Sequence, residues 1–148
     1  MEWTRGGFSI STDPERLNRA LIRDFLAGSY WAPGIPSEIV DRSIEGALCF
    51  GIYEGGAQVG FAWVITDRAT FAYLADVFVL ESHRGRGLAV WLMEVVMAHP
   101  ELQDLRRWIL MTRDAHGLYR KFGFREIADA GRCMEIVDRE VYTRPRVG

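Results

Sequence analysis

The alternation of apolar and polar positions divides the chain into strand-like and helix-like segments around one long apolar run. That run, Phe71 to Leu80, is rich in aromatic and β-branched residues, which is typical of a strand covered on both faces. The segment from Leu88 to Ala98 is apolar at nearly every position and rich in Leu, Met and Ala, so we expect a mostly buried helix there. A polar, glycine-bearing turn connects the two segments.

Apolar runs and helical spacings elsewhere predict a mixed sheet with helices on both faces. The expected strands, in chain order, are Phe8–Ser11, Leu48–Tyr53, Gln58–Thr66, Phe71–Leu80, Arg107–Thr112, Phe124–Ile127 and Cys133–Val137. The expected helices begin after a cap at Thr12 or Asp13 and extend to Ala27, and then cover Ser37–Ile44, Leu88–Ala98 and Asp114–Phe122. The resulting fold class is α/β with an α+β mixed sheet, in the order β-α-α-β-β-β-α-β-α-β-β.

The spacing of these elements also predicts how the strands pair. The three consecutive strands that begin at Leu48 should form an antiparallel meander, because a glycine-rich hairpin joins the first two. The long helix then crosses the sheet, so the strand Arg107–Thr112 should lie parallel to Phe71–Leu80 through a right-handed crossover. The last two strands should close the sheet as an antiparallel pair.

Composition excludes several classes of protein. The chain has 148 residues, 49% hydrophobic and 26% charged, which suits one ordinary globular domain over residues 1–148. A formal net charge of -2 and a pI near 5.9 argue against a protein that binds nucleic acid. No apolar run is long enough for a membrane span, and the first ten residues lack the apolar core of a signal peptide. We therefore expect a cytoplasmic protein without nucleic-acid or membrane partners.

Cysteine and histidine positions give no indication of a metal. Cys49 and Cys133 both lie in apolar, strand-like segments, so we expect them to be reduced, buried and inert. The three histidines, His83, His99 and His116, are scattered and do not form a metal-ligand spacing.

The turn between the long strand and the long helix is a candidate anion site. A strand that feeds through a glycine-bearing turn into a helix leaves free backbone N–H groups at the positive end of the helix. The spacing fits neither a P-loop nor a Rossmann turn, because it offers only Gly85-x-Gly87. A plain surface turn with two solvated arginines is the alternative.

Two segments carry a resemblance to a known family. The turn reads Arg84-Gly85-Arg86-Gly87-Leu88-Ala89, an R-x-x-G-x-A pattern that resembles the acyl-CoA pyrophosphate loop of the GNAT N-acetyltransferase superfamily. The segment from Thr112 to Phe124 resembles the family's N-x-x-A-x-x-x-Y-x-x-x-GF pattern, with matches at Ala115, Tyr119, Gly123 and Phe124. The predicted element order is similar to the GNAT fold over almost the whole chain, including a central parallel strand pair that splays apart.

The resemblance implies a binding mode for acetyl-CoA (coenzyme A) as the acyl donor. It places the pyrophosphate on the backbone of the loop, formed by Arg84, Gly85, Arg86, Gly87, Leu88 and Ala89. It places the pantetheine arm beside the backbone of Phe78 and Val79, in the gap where the parallel strands splay. Thr112 departs from the pattern, because many members have Asn there, and a threonine hydroxyl has a shorter reach. The family also allows a homodimer.

Tyr119 is the candidate general acid. A phenol with a pKa near 10 is protonated at neutral pH, so it can return a proton to a departing thiolate. The alternative is an aromatic side chain that packs on the sheet. His116 lies three residues earlier on the same helical face, and solvation is the favoured interpretation of it.

Asp76 is the candidate general base. It is the only charged residue between Phe71 and Leu80, so a central strand would desolvate its carboxylate or satisfy it with a hydrogen bond. Strand alternation places Asp76 on the same face as Leu74 and Phe78. Its carboxylate could accept a proton from an ammonium group or simply bind the substrate cation, and a structural acceptor is an equally weighted alternative.

The acceptor should be recognised by the loop after the first helix and by the hairpin strands. The aromatic candidates are Tyr30, Trp31, Phe61, Trp63 and Tyr73, and ordinary core packing is at least as good an explanation for each. Aromatic residues with one carboxylate suit a small amine or an amino-acid-like acceptor.

The resemblance and the residues together predict an acyltransferase that works by direct transfer in a ternary complex. Its partners would be an acyl-CoA donor and an amine acceptor. Three alternatives remain: a protein or peptide acetyltransferase, a different acyl-CoA donor, and a non-catalytic acyl-CoA-binding regulatory module.

Overall fold

A six-stranded sheet forms the centre of the molecule in a computed structural model that describes residues 1–145. The strands are β1 (Glu2–Arg5), β2 (Phe8–Ser11), β3 (Leu48–Glu54), β4 (Ala57–Thr66), β5 (Phe71–Val79) and β6 (Arg107–Leu110). The helices are α1 (Arg19–Ala27), α2 (Ser37–Gly46), α3 (Leu88–Ala98) and α4 (His116–Arg120). Short 3-10 turns cover Pro14–Arg16, Glu81–His83, Pro100–Leu102 and Ala130–Arg132. The strands lie side by side in chain order, and each neighbouring pair is antiparallel except β5 and β6.

The two faces of the sheet carry separate apolar clusters, which confirms the mixed fold with helices on both faces. Helices α1 and α2 cover one face, where Ile22 and Val40 pack with Phe61 of β4. Helix α3 covers the other face, where Leu92 packs with Val64 of β4. Because successive side chains of a strand point to opposite faces, β4 supplies apolar residues to both clusters and reads as a continuous apolar run.

A β-bulge interrupts β5 at its centre. Phe61 of β4 pairs with Phe78, but Trp63 pairs with Ala75, so Asp76 and the residue after it oppose a single residue of β4. Asp76 has a φ of 53°, in the left-handed region that Asp tolerates better than most residues. The predicted alternation is therefore wrong beyond the bulge.

The bulge changes which face each β5 side chain reaches. Leu74 packs in the cluster under α3, whereas Phe78 packs in the cluster under α1 and α2, although the sequence places both on one face. Asp76 lies at the inserted position and projects toward the side of α1, where its carboxylate meets Trp31. Strand alternation fails here because it assumes an unbroken pleat.

The parallel pairing of β5 and β6 is short, as the predicted splay requires. The register extends only from Phe71 with Arg107 to Leu74 with Leu110. Beyond Leu74, the remainder of β5 has no strand neighbour on that side within residues 1–145. The gap opens at the same level as the bulge.

The predicted closing pair of strands, Phe124–Ile127 and Cys133–Val137, is absent from the described residues. The Phe124 ring instead turns inward against Trp108 and Tyr119, at centroid distances of 6.2 and 6.0 Å. A 3-10 turn at Ala130–Arg132 then leads into an exposed segment, in which Met134 and Cys133 lie at the surface. Cys133 is therefore not buried as predicted, while Cys49 is buried and its pKa is raised to about 12 by that burial.

Two features of the first 20 residues also differ from the prediction. The strand β1 is mostly exposed and is held by backbone pairing with β2 across a Gly6-Gly7 turn, so apolar periodicity does not reveal it. Asp13 caps only the 3-10 turn, and α1 begins later, where the Asn18 side chain accepts a hydrogen bond from the Leu21 amide at 3.0 Å. Within residues 1–145, no helix is long and apolar enough to cross a membrane.

Candidate active site

The loop between β5 and α3 presents a run of unbonded backbone N–H groups. The amides from Gly85 to Val90 have no hydrogen-bond acceptor within residues 1–145, and the first helical bond of α3 is donated by Trp91 to the Gly87 carbonyl at 3.0 Å. Gly85 and Gly87 have φ values of 78° and 75°, which glycine adopts without strain. Consecutive free amides at a helix N-terminus form a site for an anion.

The two arginines of the loop are held in different ways. Arg84 folds back on the strand, and its Nε donates to the Val79 carbonyl at 3.0 Å. Arg86 is half-exposed, with its guanidinium 3.6 Å from the Glu54 carboxylate. That carboxylate is also 3.6 Å from the His83 ring. Both arginines therefore stay beside the loop without filling the space in front of its amides.

The residues of this loop fit the diphosphate of coenzyme A. A Cβ placed on Gly85 or Gly87 would meet no atom within 4 Å, so the space in front of the loop is open. The donor set consists of backbone N–H groups with guanidinium groups nearby, which is the chemistry that phosphate oxygens require. Leu88 and Ala89, which the sequence predicts to hold the diphosphate, contribute amides to the unbonded run.

The free edge of β5 exposes one of the two predicted backbone partners of the pantetheine arm. The Phe78 carbonyl faces β4, because it lies 3.0 Å from the position that a Cβ on Gly60 would occupy. Peptide groups of successive strand residues point to opposite edges, so the Val79 peptide faces the splayed side. This orientation favours Val79 over Phe78 as a partner.

A cavity of about 570 Å³ opens where β5 and β6 separate. It brings together both predicted catalytic residues, Asp76 and Tyr119, with Thr112 and most of the predicted aromatic residues. The lining aromatic residues are Tyr30, Trp31, Trp63, Tyr73, Tyr119 and Tyr142. Elements distant in the sequence build this cavity: the α1–α2 loop, β4, β5, the segment after β6, and α4.

Tyr119 is buried in the cavity wall, with 8% of its surface exposed. Burial raises the pKa of Tyr119 to about 12, with a smaller contribution from the neighbouring Tyr30. Its hydroxyl has no hydrogen-bond partner among residues 1–145. The phenol therefore stays protonated at neutral pH, with its proton available to a bound molecule.

Asp76 is partly buried and has one protein donor. Trp31 Nε1 donates to its Oδ1 at 2.5 Å. Burial raises the pKa of Asp76, and the hydrogen bond from Trp31 opposes that effect. The neighbouring Tyr73 is half-buried, and burial followed by the Asp76 charge raises its pKa. The carboxylate is thus a stronger base than an exposed aspartate.

Two predicted site residues, Phe61 and Thr112, are engaged in contacts within the protein. Phe61 is fully buried between Phe78 and Trp63, at centroid distances of 5.9 and 5.5 Å, and does not line the cavity. Its strand neighbour two positions on, Trp63, does line it. Thr112 accepts a hydrogen bond from the Ala115 amide at 3.0 Å, so its hydroxyl is engaged in the turn before α4 while the residue still borders the cavity.

The structure adds site residues that the pattern of the sequence did not indicate. Arg113 holds its guanidinium 3.7 Å from the ring centroid of Tyr30. Tyr142 reaches the cavity from the last described segment, which packs near Gly34. The adjacency of Arg113 to the Thr112 motif is a signal that could have indicated it, whereas nothing local indicates Tyr142.

Comparison with known proteins identifies the family. The family model "Acetyltransferase (GNAT) domain" matches residues 45–126, which include β3 to α4 and both motifs. The chain belongs to the GNAT acetyltransferase family. It is therefore an acyltransferase, and the loop after β5 lies within the matched residues.

Two relatives match most of the chain. A solved structure of a candidate GNAT-family acetyltransferase from Xanthomonas campestris pv. campestris is 47% identical, with a TM-score of 0.92, over 95% of this chain and 100% of that one. A candidate acetyltransferase of Gibberella zeae is 32% identical over 80% of this chain and 79% of its own length.

A more distant solved structure shares the fold alone. It is a candidate acetyltransferase from Clostridium acetobutylicum with acetyl-CoA, 13% identical with a TM-score of 0.66, covering 93% of this chain and 96% of that one.

Proposed function

We propose that this GNAT protein is an acetyl-CoA-dependent N-acetyltransferase that passes the acetyl group directly to a primary amine of a small or amino-acid-like acceptor. One observation carries the proposal. The strand that leads into the loop of free amides is the strand whose bulge directs Asp76 into the cavity that Tyr119 lines. A donor site and an acceptor site therefore meet at one strand.

The loop after β5 and the splayed edge of β5 would form the donor side of the site. Free amides from Gly85 to Val90 would hold the diphosphate, with Arg84 and Arg86 beside it. The Val79 N–H would direct the arm along β5 toward the cavity. When bound, acetyl-CoA supplies an acetyl group activated as a thioester. The distant Clostridium structure that contains acetyl-CoA is consistent with this assignment.

Asp76 would serve the acceptor side of the site. An amine attacks only when it is neutral, so its ammonium form must first lose a proton. Asp76 can take that proton directly or through a water, since its carboxylate lies at the cavity wall and its pKa is raised by burial. The Trp31 hydrogen bond fixes Oδ1 and leaves Oδ2 for the acceptor.

Tyr119 would return a proton to the departing thiolate. Tyr119 lines the cavity and its hydroxyl has no hydrogen-bond partner among the described residues, and its pKa of about 12 keeps it protonated throughout the working range. No cysteine lines the cavity among the residues that the structure describes. No thiol is therefore placed there to form an acyl-enzyme, which favours direct transfer. The size of the cavity, about 570 Å³, favours a small acceptor over a protein surface.

The test measures CoA thiol release with acetyl-CoA and a panel of primary amines. Amine-dependent release by the wild type is expected, and Tyr119→Phe should slow turnover by about 10² to 10⁴-fold while donor binding persists. Tyr53→Phe is the matched control, because Tyr53 is a buried tyrosine outside the cavity with an unpartnered hydroxyl. An unchanged rate in Tyr119→Phe would remove Tyr119 as the acid.

Donor binding is measured separately by thermal unfolding. Acetyl-CoA at 100 times its Kd should add about 2.7 kcal/mol to the free energy of unfolding. No shift at millimolar acetyl-CoA would refute the donor site, and a shift with acetyl-CoA but no amine-dependent release would favour a non-catalytic binding module. A larger shift with another acyl-CoA would reassign the donor.

A further inference from the structure

The acceptor cavity contains a cation that neither the donor site nor the proton transfers use. Arg113 is the one lysine or arginine that lines the cavity among the described residues. Its guanidinium lies over the face of Tyr30, 3.7 Å from the ring centroid. This contact fixes the direction of a long side chain that would otherwise extend into solvent.

An aromatic pair separates this cation from Asp76. The rings of Tyr30 and Trp31 meet edge to face at a centroid distance of 5.0 Å. Trp31 then donates to Asp76 through Nε1 at 2.5 Å. The guanidinium is thus held at one end of the pair and the carboxylate at the other, and the two charged groups form no ion pair with each other.

We propose that Arg113 binds a carboxylate of the acceptor, so that the preferred acceptor is an amino acid whose primary amine and carboxylate are separated by several carbon atoms. The amine meets Asp76, the chain of carbon atoms lies along Tyr30 and Trp31, and the carboxylate meets Arg113. This inference rests on the proposed N-acetyltransferase function, because it assigns the acceptor of that same site.

The charges of the cavity favour a single negative charge on the acceptor. The charged lining residues are Asp76, Arg113 and Asp114. Asp114 lies 3.6 Å from the Arg113 guanidinium, and both side chains are about two-thirds exposed. Such an exposed pair is weak, so Arg113 keeps donors for a ligand. Asp114 would repel a phosphate dianion more strongly than a carboxylate, because the phosphate carries two negative charges and the carboxylate carries one. A carboxylate also matches the two parallel donors of the guanidinium group.

A purely structural Arg113 is the competing explanation. The guanidinium would then only cover Tyr30 and shape the wall, and every amine of similar size would be affected equally by its removal. The two explanations differ in one measurable quantity, the ratio of kcat/KM between an amino acid and the same molecule with a hydroxyl in place of its carboxylate.

The experiment compares 6-aminohexanoate with 6-amino-1-hexanol, and with glycine, in the CoA-release assay. For the wild type, kcat/KM for 6-aminohexanoate should exceed that for each of the other two by about tenfold or more, the value of one charge-assisted hydrogen bond. Arg113→Gln should abolish the preference over the amino alcohol through KM, and Arg113→Lys should restore part of it. Arg42→Gln is the control, since Arg42 is an exposed arginine of α2 that does not line the cavity.

Each outcome decides separately on the inference and on the function. Equal kcat/KM for the amino acid and the amino alcohol in the wild type, or an equal loss for both in Arg113→Gln, overturns the carboxylate assignment while the N-acetyltransferase function stands. A preference for glycine overturns the proposed separation of amine and carboxylate. If no amine at all stimulates CoA release, the proposed N-acetyltransferase function is wrong, and the inference about its acceptor is wrong with it.

Discussion

Replacing Asp76 with Asn separates the role of a base from the role of a hydrogen-bond acceptor. An Asn side chain keeps an amide oxygen where Oδ1 accepts from Trp31 at 2.5 Å. Asn also tolerates the φ of 53° at this position nearly as well as Asp does. The variant therefore loses the ability to take a proton and little else. Asp76→Ala would be a poorer choice because it also empties the site and strains the backbone.

The expected effects on rate and on stability have different sizes. Loss of a general base should lower kcat/KM by about 10² to 10⁴-fold, or about 3–5 kcal/mol in the barrier. The hydrogen bond from Trp31 weakens by about 1 kcal/mol when its acceptor becomes neutral. Removal of a desolvated charge offsets that loss. The free energy of unfolding at pH 7 should therefore change by less than about 1 kcal/mol.

The pH dependence gives a second, independent readout. Burial raises the pKa of Asp76 above its ordinary value, so wild-type kcat/KM should fall as the pH drops toward that raised pKa, and Asp76→Asn should lack this limb. The contribution of Asp76 to the free energy of unfolding changes with pH in the opposite direction to kcat/KM. A carboxyl whose pKa is raised in the folded state favours the fold when protonated, so its contribution is lost as the pH rises through that pKa. The variant should thus gain stability relative to the wild type with increasing pH.

The assay is a kcat/KM profile from CoA release between about pH 5 and 9, paired with thermal unfolding at each pH. Trp31→Phe provides the companion variant, since loss of its hydrogen bond should raise the pKa of Asp76 further and move the acid limb to higher pH. If Asp76→Asn keeps kcat/KM within about twofold and retains the acid limb, the base assignment is wrong. Asp76 would then be a structural acceptor for Trp31.

Two further predictions concern the donor loop and the β4–β5 turn. Gly85→Ala should weaken CoA binding more than it lowers the free energy of unfolding, because the added Cβ enters the open space in front of the loop amides. Gly6→Ala is the control, since Gly6 also has a positive φ and its substitution should carry only a backbone cost of about 1–2 kcal/mol. Thermal unfolding with and without CoA measures both variants. Asp67 accepts from the Thr70 and Phe71 amides at 2.8 and 3.1 Å, and hydrogen bonds hold its pKa well below the usual range. Asp67→Asn should therefore lower stability at neutral pH, by a difference that shrinks below about pH 4 in acid titration, since a depressed pKa contributes stability that is lost as the pH falls.

The elements that the sequence predicts well are those that are apolar at nearly every position. The helix α3 and the strand β5 have nearly the predicted bounds, because a segment that is apolar on all sides has few alternatives to a buried element. The conformation of the loop after β5 was also predictable, since Gly85 and Gly87 occupy the positive-φ positions that the turn requires.

Features that depend on contacts between distant parts of the chain could not be predicted from the sequence. Phe61 and Trp63 share a face of β4 as alternation requires, and both are buried in the cluster under α1 and α2, but only the surrounding elements decide that Trp63 also lines the cavity. Tyr142 reaches the cavity from a segment far along the chain. Cys133–Val137 has strand-like composition, yet a strand needs a paired edge, and composition does not supply one.

The bulge in β5 is the feature on which the whole site depends, and the apolar pattern conceals it. Its inserted residue moves Phe78 to the opposite face from Leu74 and turns Asp76 toward Trp31. It also lies just past Leu74, where pairing with β6 ends and the edge of β5 becomes free. A non-glycine residue at positive φ costs about 1 kcal/mol, and such strain persists where the surrounding structure fixes it. One backbone irregularity therefore directs Asp76 into the cavity beside the point where β5 and β6 separate, so the proposed base and the proposed donor edge belong to the same strand.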